Sequence, residues 1–235
     1  ILQEPSLRGD VLGALVCAGE GRVDNRRLGR ALVAACKARG VIILPNARDL
    51  RVECDDRRVL GVRSHLGFAP AAYVVNAAGA WASTVAGIPE RFAPAVEPVK
   101  GQMLALAISK GFVRHTVWVP GAYFVPRDDG RLLIGATVER AGFNERVTAS
   151  GIESLLRAAL AAAPALGTFA LTETWAGLRP ATTDGRPVIA ATELEGLFSA
   201  CGHYRNGILL TPITARSIAC LVEGARDAGA RMTEV

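Results

Sequence analysis

Between residues 96 and 138 four apolar stretches follow one another: VEPVKGQMLALAI (96–108), TVWV (116–119), AYFVPR (122–127) and RLLIGATV (131–138). Turn signals separate them, and Asp128-Asp129-Gly130 is a tight hairpin turn. Strands joined by such short links become antiparallel neighbours, so the middle of the chain is committed to an antiparallel sheet. A helix is expected from about 150 to 163, carrying Ile152, Leu155, Leu156, Ala159 and Leu160 on one side. That is the stripe a helix needs to cover a sheet.

The flanks follow a different pattern. VLGALVC (11–17) is a short apolar strand before the turn Gly19-Glu20-Gly21, and Asp24 can cap a helix whose stop signal is Gly40. Leu28, Ala31, Leu32, Ala35 and Cys36 recur on that helix at core spacing. A strand is expected at 41–44, then a hairpin of LRVEC and VLGVR turning at Asp55-Asp56-Arg57. YVVN (73–76) is a strand ending in the corner Ala77-Ala78-Gly79-Ala80, with a short helix after Trp81. At the other end PVIA (187–190) and LFSAC (197–201) are short strands, and Thr211-Pro212 opens a helix running to about Glu223. The expected fold is α/β (α+β): an α/β part built from both ends, interleaved with a β-rich middle.

Composition excludes several classes of function. The 235 residues are half hydrophobic and 21% charged, which suits a globular chain. No continuous apolar run reaches the ~18–20 residues that span a bilayer, so no membrane partner is expected. Of the 27 basic residues only Lys37, Lys100 and Lys110 are lysine; the arginines are scattered among Asp and Glu. Nucleic-acid binding favours a basic stripe with stacking aromatics, and none is expected here. Cys17, Cys36, Cys54, Cys201 and Cys220 contain no CxxC pair, so they are expected to be buried, reduced thiols of a cytoplasmic protein. His65, His115 and His203 lie too far apart in sequence to suggest a metal site.

One stretch imitates a phosphate loop. ALVCAGEGRVD supplies Gly19-x-Gly21, but Asp24 stands where a dinucleotide fingerprint needs a third small residue. A carboxylate at that helix start would also oppose a pyrophosphate. The stretch is therefore assigned no phosphate-binding role.

Three other stretches are specific: VVNAAGAWAS (74–83), WAGLRPATTDGRPVIA (175–190) and GHYRNGILLTPITA (202–215). Together they resemble the FAD-dependent D-amino-acid oxidase superfamily, and within it the glycine oxidases of thiamine biosynthesis. EPVKGQMLAL (97–106) and GAYFVPRDDGRLLIGATVE (121–139) resemble the same family's substrate-domain strands. The resemblance covers nearly the whole chain in family order. It implies an incomplete FAD-binding Rossmann-like domain (24–89 and 177–235) interleaved with an antiparallel β-sheet substrate domain (1–23 and 90–176). Family members open with a strand, a GxGxxG loop and a helix that hold the FAD pyrophosphate. By domain size, roughly the first 140 residues of a family member have no counterpart here. This chain is thus expected to be a C-terminal part, its FAD site completed by an N-terminal segment or a partner chain.

The family reaction moves a hydride from the carbon beside an amine to flavin, which oxygen reoxidises to give hydrogen peroxide; the imine hydrolyses. No general base is required if the amine arrives neutral, which suits the lack of an obvious catalytic His or carboxylate. The resemblance implies that Arg179, in GLRP, grips the substrate carboxylate with two parallel hydrogen bonds, and Pro180 holds it extended. It implies that the hydroxyl of Tyr123 faces the substrate and that Arg205 stands beside substrate and flavin. The backbone of Gly202, His203, Tyr204, Arg205, Asn206, Gly207, Ile208 and Leu209 would wrap the flavin ring, with the next helix aimed at its pyrimidine side. Ala78 and Gly79 would pass near the cofactor with Trp81 behind them, and Asp49 would meet the adenine end through backbone atoms. Some relatives attach flavin to a cysteine where Thr182 and Thr183 stand here, so the FAD is expected to be non-covalent.

The expected substrate is therefore glycine or a similarly small amino acid, with homo-oligomerisation left open. Two alternatives stay beside it: a flavin-free fragment or subunit acting as a binding module, and a related D-amino-acid dehydrogenase.

Overall fold

The computed structural model describes residues 3–232. In chain order the elements are α1 (Asn25–Ala38), β1 (Arg51–Cys54), β2 (Val59–Ser64), β3 (Gly67–Pro70), β4 (Val74–Asn76), β5 (Val96–Ala107), β6 (Val117–Val119), β7 (Ala122–Pro126), β8 (Arg131–Gly135), α2 (Ala149–Ala162), β9 (Ala170–Thr182), β10 (Val188–Ala191), β11 (Leu197–Cys201) and α3 (Gly207–Met232). Short 3-10 turns occupy Gly79–Thr84, Glu90–Phe92 and Pro164–Thr168. The chain divides into two compact units, Ile1–Asp24 with Val99–Leu178, and Asn25–Pro98 with Arg179–Val235.

The first unit is built on a sheet in the order β6-β7-β8-β5-β9, in which the pairs β6/β7, β7/β8 and β8/β5 are antiparallel. Phe124, Ile134 and Leu104 lie opposite one another on adjacent strands and point to one face. There they meet Leu155 and Ala159 of α2 and Leu166 of the turn after it. Burying a side chain of this size contributes about 1.5–3 kcal/mol, so this face is the main reason the sheet forms. Thr148 caps α2 by accepting from the Gly151 N–H at 3.2 Å.

A polar cluster that the sequence does not announce lies along β5. Lys100 is 2% exposed and Gln102 is fully buried. Lys100 Nζ lies 2.8 Å from Glu139 Oε2 and donates to the Arg146 carbonyl at 3.3 Å. Gln102 Nε2 donates to Glu139 Oε1 at 2.7 Å and to the Thr148 hydroxyl at 3.0 Å, while its Oε1 accepts from the Thr148 N–H at 2.7 Å. The Thr137 hydroxyl also donates to Glu139 Oε1. Burial raises the Glu139 carboxyl, but the hydrogen bonds from Lys100, Thr137 and Gln102 outweigh it and hold the group below its ordinary value.

The second unit contains two small sheets. One is the antiparallel set β1-β2-β3, whose β1/β2 turn is fixed by Asp55 Oδ1 accepting from the Arg57 and Arg58 N–H groups at 2.8 Å. The other runs β10-β11-β4, with β10 antiparallel to β11 and β11 parallel to β4. Val52, Val59, Leu194 and Leu197 form a core shared by elements of both sheets. On α3, Leu210, Thr214, Ser217, Ile218, Leu221, Val222 and Ala225 are half-buried at helical spacing, and the helix contacts β10 and β11.

Several expectations need correction. Residues 11–17 and 41–44 form no strand, and Leu12, Leu15, Ile42 and Leu44 are exposed. An apolar run becomes a strand only where a ladder takes its N–H and C=O groups, and neither segment pairs with one among the described residues. The helix after Asp24 does form, but none of its residues is buried. Of the five cysteines only Cys201 is buried; Cys17 and Cys220 are exposed. The last helix begins at Gly207, so Pro212 lies inside it. That early start joins the apolar stretches on either side of Pro212. Gly207–Asp227 is in consequence long and apolar enough, at a mean hydropathy of 1.4, to cross a membrane by length and composition alone.

Candidate functional site

Because β4 and β11 are parallel, with Ser199 opposite Asn76, both leave the sheet at the same edge. The corner 77–80 and the loop 202–206 therefore start side by side. The carboxyl ends of adjacent parallel strands are where open α/β sheets build ligand crevices. The corner is tied by Asn76, which donates from Nδ2 to the Ala82 carbonyl at 2.8 Å and accepts at Oδ1 from the Ala78 N–H at 3.3 Å. Ala78 packs on a small cluster of Ala82, Val96 and Cys201. Trp81, which follows the corner, is 46% exposed.

The loop is held against the end of β9. The Tyr204 N–H donates to the Pro180 carbonyl at 2.7 Å. Gly202 has φ +77, and a Cβ there would lie 2.6 Å from Thr182 Cγ2. Glycine is required twice over, by backbone conformation and by space. Arg179 is half-buried on the extended β9, next in sequence to the carbonyl that takes the Tyr204 N–H. Tyr204 itself has φ +49, a conformation that costs about 1–3 kcal/mol for a non-glycine residue and collects at functional sites.

Asn206 closes the turn, donating its N–H to the His203 carbonyl at 2.9 Å and accepting from the Leu210 N–H at 2.9 Å. The N–H groups that begin α3 thus emerge from the loop at Gly207, Ile208 and Leu209. His203 Nε2 and Thr214 Oγ1 lie 2.9 Å apart, and burial lowers the imidazole pKa. The exposed Arg205 guanidinium lies 5.2 Å from the Tyr204 ring centroid.

The structure therefore brings Ala78, Gly79, Arg179 and 202–209 to the region where β4, β9 and β11 end. Asp49 stands just before β1 with φ +56, beside a turn pinned by the Arg48 N–H to His65 Nδ1 at 3.0 Å. Tyr123 belongs to the first unit. Its ring centroid is 4.8 Å from that of Trp118, and its hydroxyl donates to Met103 Sδ at 3.8 Å. Asn76 and Thr182 were not singled out for positioning by the sequence, and Pro180 only for holding Arg179 extended; the signal available was their adjacency to the two family-like corners.

A stability measurement separates the two glycines of the region. Gly202→Ala is expected to cost about 2 kcal/mol or more in urea unfolding, combining a left-handed φ with a steric clash. Gly79 has φ +58, and a methyl group added there would meet nothing within 4 Å, so Gly79→Ala is expected to cost about 1 kcal/mol. Equal penalties would show that Thr182 does not seat the loop.

The sequence profile of a family described as "DAO: FAD dependent oxidoreductase" matches residues 2–221. A glycine oxidase of Pseudomonas putida is 38% identical over 220 residues, covering 90% of this chain and 58% of that protein. The bifunctional protein ThiO/ThiG of Synechocystis is 38% identical over 224 residues, covering 93% of this chain but 33% of that protein. The crystal structure of a glycine oxidase from Geobacillus kaustophilus matches with a TM-score of 0.88 at 35% identity, covering 94% of this chain and 60% of that one. The chain thus spans a third of the bifunctional relative and about three fifths of the glycine oxidases.

Proposed function

Because the chain belongs to the FAD dependent oxidoreductase family, we propose that it is the C-terminal part of an oxidase of glycine or a similarly small amino acid. The overall reaction gives an imine, then glyoxylate and ammonia, with hydrogen peroxide from oxygen. The reading rests on one observation above the rest: the loop 202–204 is fastened to the strand end that carries Arg179, by the Tyr204–Pro180 hydrogen bond and by Gly202 against Thr182. A group for a carboxylate and a backbone cradle for a planar ring are thereby kept adjacent.

Bound non-covalently, FAD would supply the acceptor for the hydride, with oxygen as the final oxidant. The residues of the chain do the positioning. Gly202 gives the backbone room to approach a flat ligand closely. The first N–H groups of α3, at the positive end of the helix dipole, favour negative charge near Gly207–Leu209. Arg179 takes the substrate carboxylate in a bidentate grip, the Tyr123 hydroxyl faces the substrate, and Arg205 adds positive charge beside the loop. Ala78 and Gly79 would keep the neighbouring corner low enough for the cofactor to pass, and the Asp49 backbone would hold its adenine end. A segment bearing a phosphate-binding loop completes the site, as the greater length of the glycine oxidases suggests.

The visible spectrum provides the test. The full-length protein is expected to be yellow, with a flavin band near about 450 nm, and to release hydrogen peroxide when given glycine. This chain alone is expected to be colourless and to gain the band when the missing segment is supplied. A colourless full-length protein would end the oxidase reading. Dye reduction without oxygen uptake would make it a dehydrogenase.

A further inference from the structure

We infer that Gly135 is a positioning residue that sets where the Tyr123 hydroxyl stands, an inference that rests on the substrate-facing role proposed for Tyr123. Trp118, Tyr123, Gly135 and Met103 form one row across β6, β7, β8 and β5, each directly opposite the next. The row lies on the face away from α2, because its neighbours Phe124, Ile134 and Leu104 occupy the core face.

A Cβ on Gly135 would meet Met103 Cε at 2.8 Å and the Tyr123 Cζ and hydroxyl oxygen at 2.9 Å each. The space a side chain would take is therefore already filled from both sides. The tyrosine ring leans across from β7 and the thioether methyl from β5, and they join in the hydroxyl-to-sulfur contact at 3.8 Å. Trp118, 62% exposed, closes the other side of the ring at 4.8 Å between centroids. Side chains on strands ordinarily stand roughly perpendicular to the sheet. Opposite a bare glycine an aromatic ring can instead lie over the backbone, and this one does. The height and direction of its hydroxyl follow from the missing side chain at 135.

Gly135→Ala places a methyl group inside contact distance of the phenol, so the ring has to lift. A substrate hydrogen bond displaced in this way weakens sharply. In the full-length flavoprotein, Gly135→Ala is expected to raise the glycine KM by about tenfold with a smaller change in kcat. In a Tyr123→Phe background the same substitution is expected to add nothing, because the hydroxyl it displaces is gone. Equal effects in both backgrounds, or no effect on KM in the wild-type background, would overturn the inference.

A readout independent of activity is the 13C-methyl NMR signal of Met103 in the flavin-free protein, assigned by its loss in Met103→Leu. Gly135→Ala is expected to move that signal, and an unmoved signal would overturn the inference. Should Gly135→Ala fail to fold, Trp118→Leu tests the same seat from its exposed side. It is expected to raise KM about threefold in the wild-type background and to be silent beside Tyr123→Phe; multiplicative effects would overturn the inference. A Tyr123→Phe variant with unchanged KM would instead end the substrate-facing role of Tyr123, while the Met103 signal still decides the seat.

Discussion

Arg179→Ala in the full-length flavoprotein is expected to raise the glycine KM about a hundredfold, the loss of roughly 3 kcal/mol from one carboxylate grip. Arg179 is half-buried within the extended β9, and Tm is expected to fall by less than about 4 °C. The separation of the two effects is the point of the measurement. A residue that held only the strand in place would lower Tm and leave KM alone. Arg179→Lys keeps the charge but replaces a planar fork by a point donor, so it should land between wild type and Ala. An Arg179→Ala enzyme with wild-type glycine kinetics would remove the carboxylate role altogether.

The legible parts of this chain are those whose information is local. The strands between 96 and 135 announce themselves as apolar stretches divided by turn signals, the Asp128–Gly130 turn among them; the structure pairs β6, β7 and β8 in sequence order but sets β5 beside β8 rather than beside β6. Arg179 is legible as an extended residue because Pro180 follows it. The illegible parts depend on a partner distant in sequence. VLGALVC and the 41–44 stretch look like strands, yet an apolar run carries no record of whether a neighbour exists. The start of α3 misleads for a different reason. Thr211-Pro212 imitates a cap and first-turn proline, but the Thr211 hydroxyl donates back to the Gly207 carbonyl at 2.8 Å as a residue inside a helix does. At the candidate site the two corners are readable as motifs. The seating of Gly202 on Thr182 and of Tyr123 over Gly135 needs strand register, which no single stretch contains.

The polar cluster along β5 is the extreme case of that dependence, and it yields the largest expected change in stability. Glu139→Gln keeps the shape of the side chain but removes the negative charge 2.8 Å from the Lys100 ammonium, which is 2% exposed. Removing one member of a buried pair costs about 3 kcal/mol or more, which for a chain of this size lowers Tm by about 10 °C. The burden falls on the lysine, because Glu139 is 31% exposed and keeps some access to water. Gln102 and the Thr148 cap are drawn in as well, since both hydrogen-bond through the same carboxylate and amide. The double variant Lys100→Met with Glu139→Gln removes the stranded charge and is expected to be more stable than Glu139→Gln alone. The pH dependence has a fixed sign. Hydrogen bonding holds the Glu139 carboxyl below its ordinary value against the opposing effect of burial. Its contribution is therefore complete above the usual carboxylate range and is lost as pH falls through the lowered value. The difference in Tm between wild type and Glu139→Gln should shrink on acidification. A gap that stayed constant, or a double variant less stable than the single one, would mean that the pair is not what holds β5 to the Thr148 end of α2.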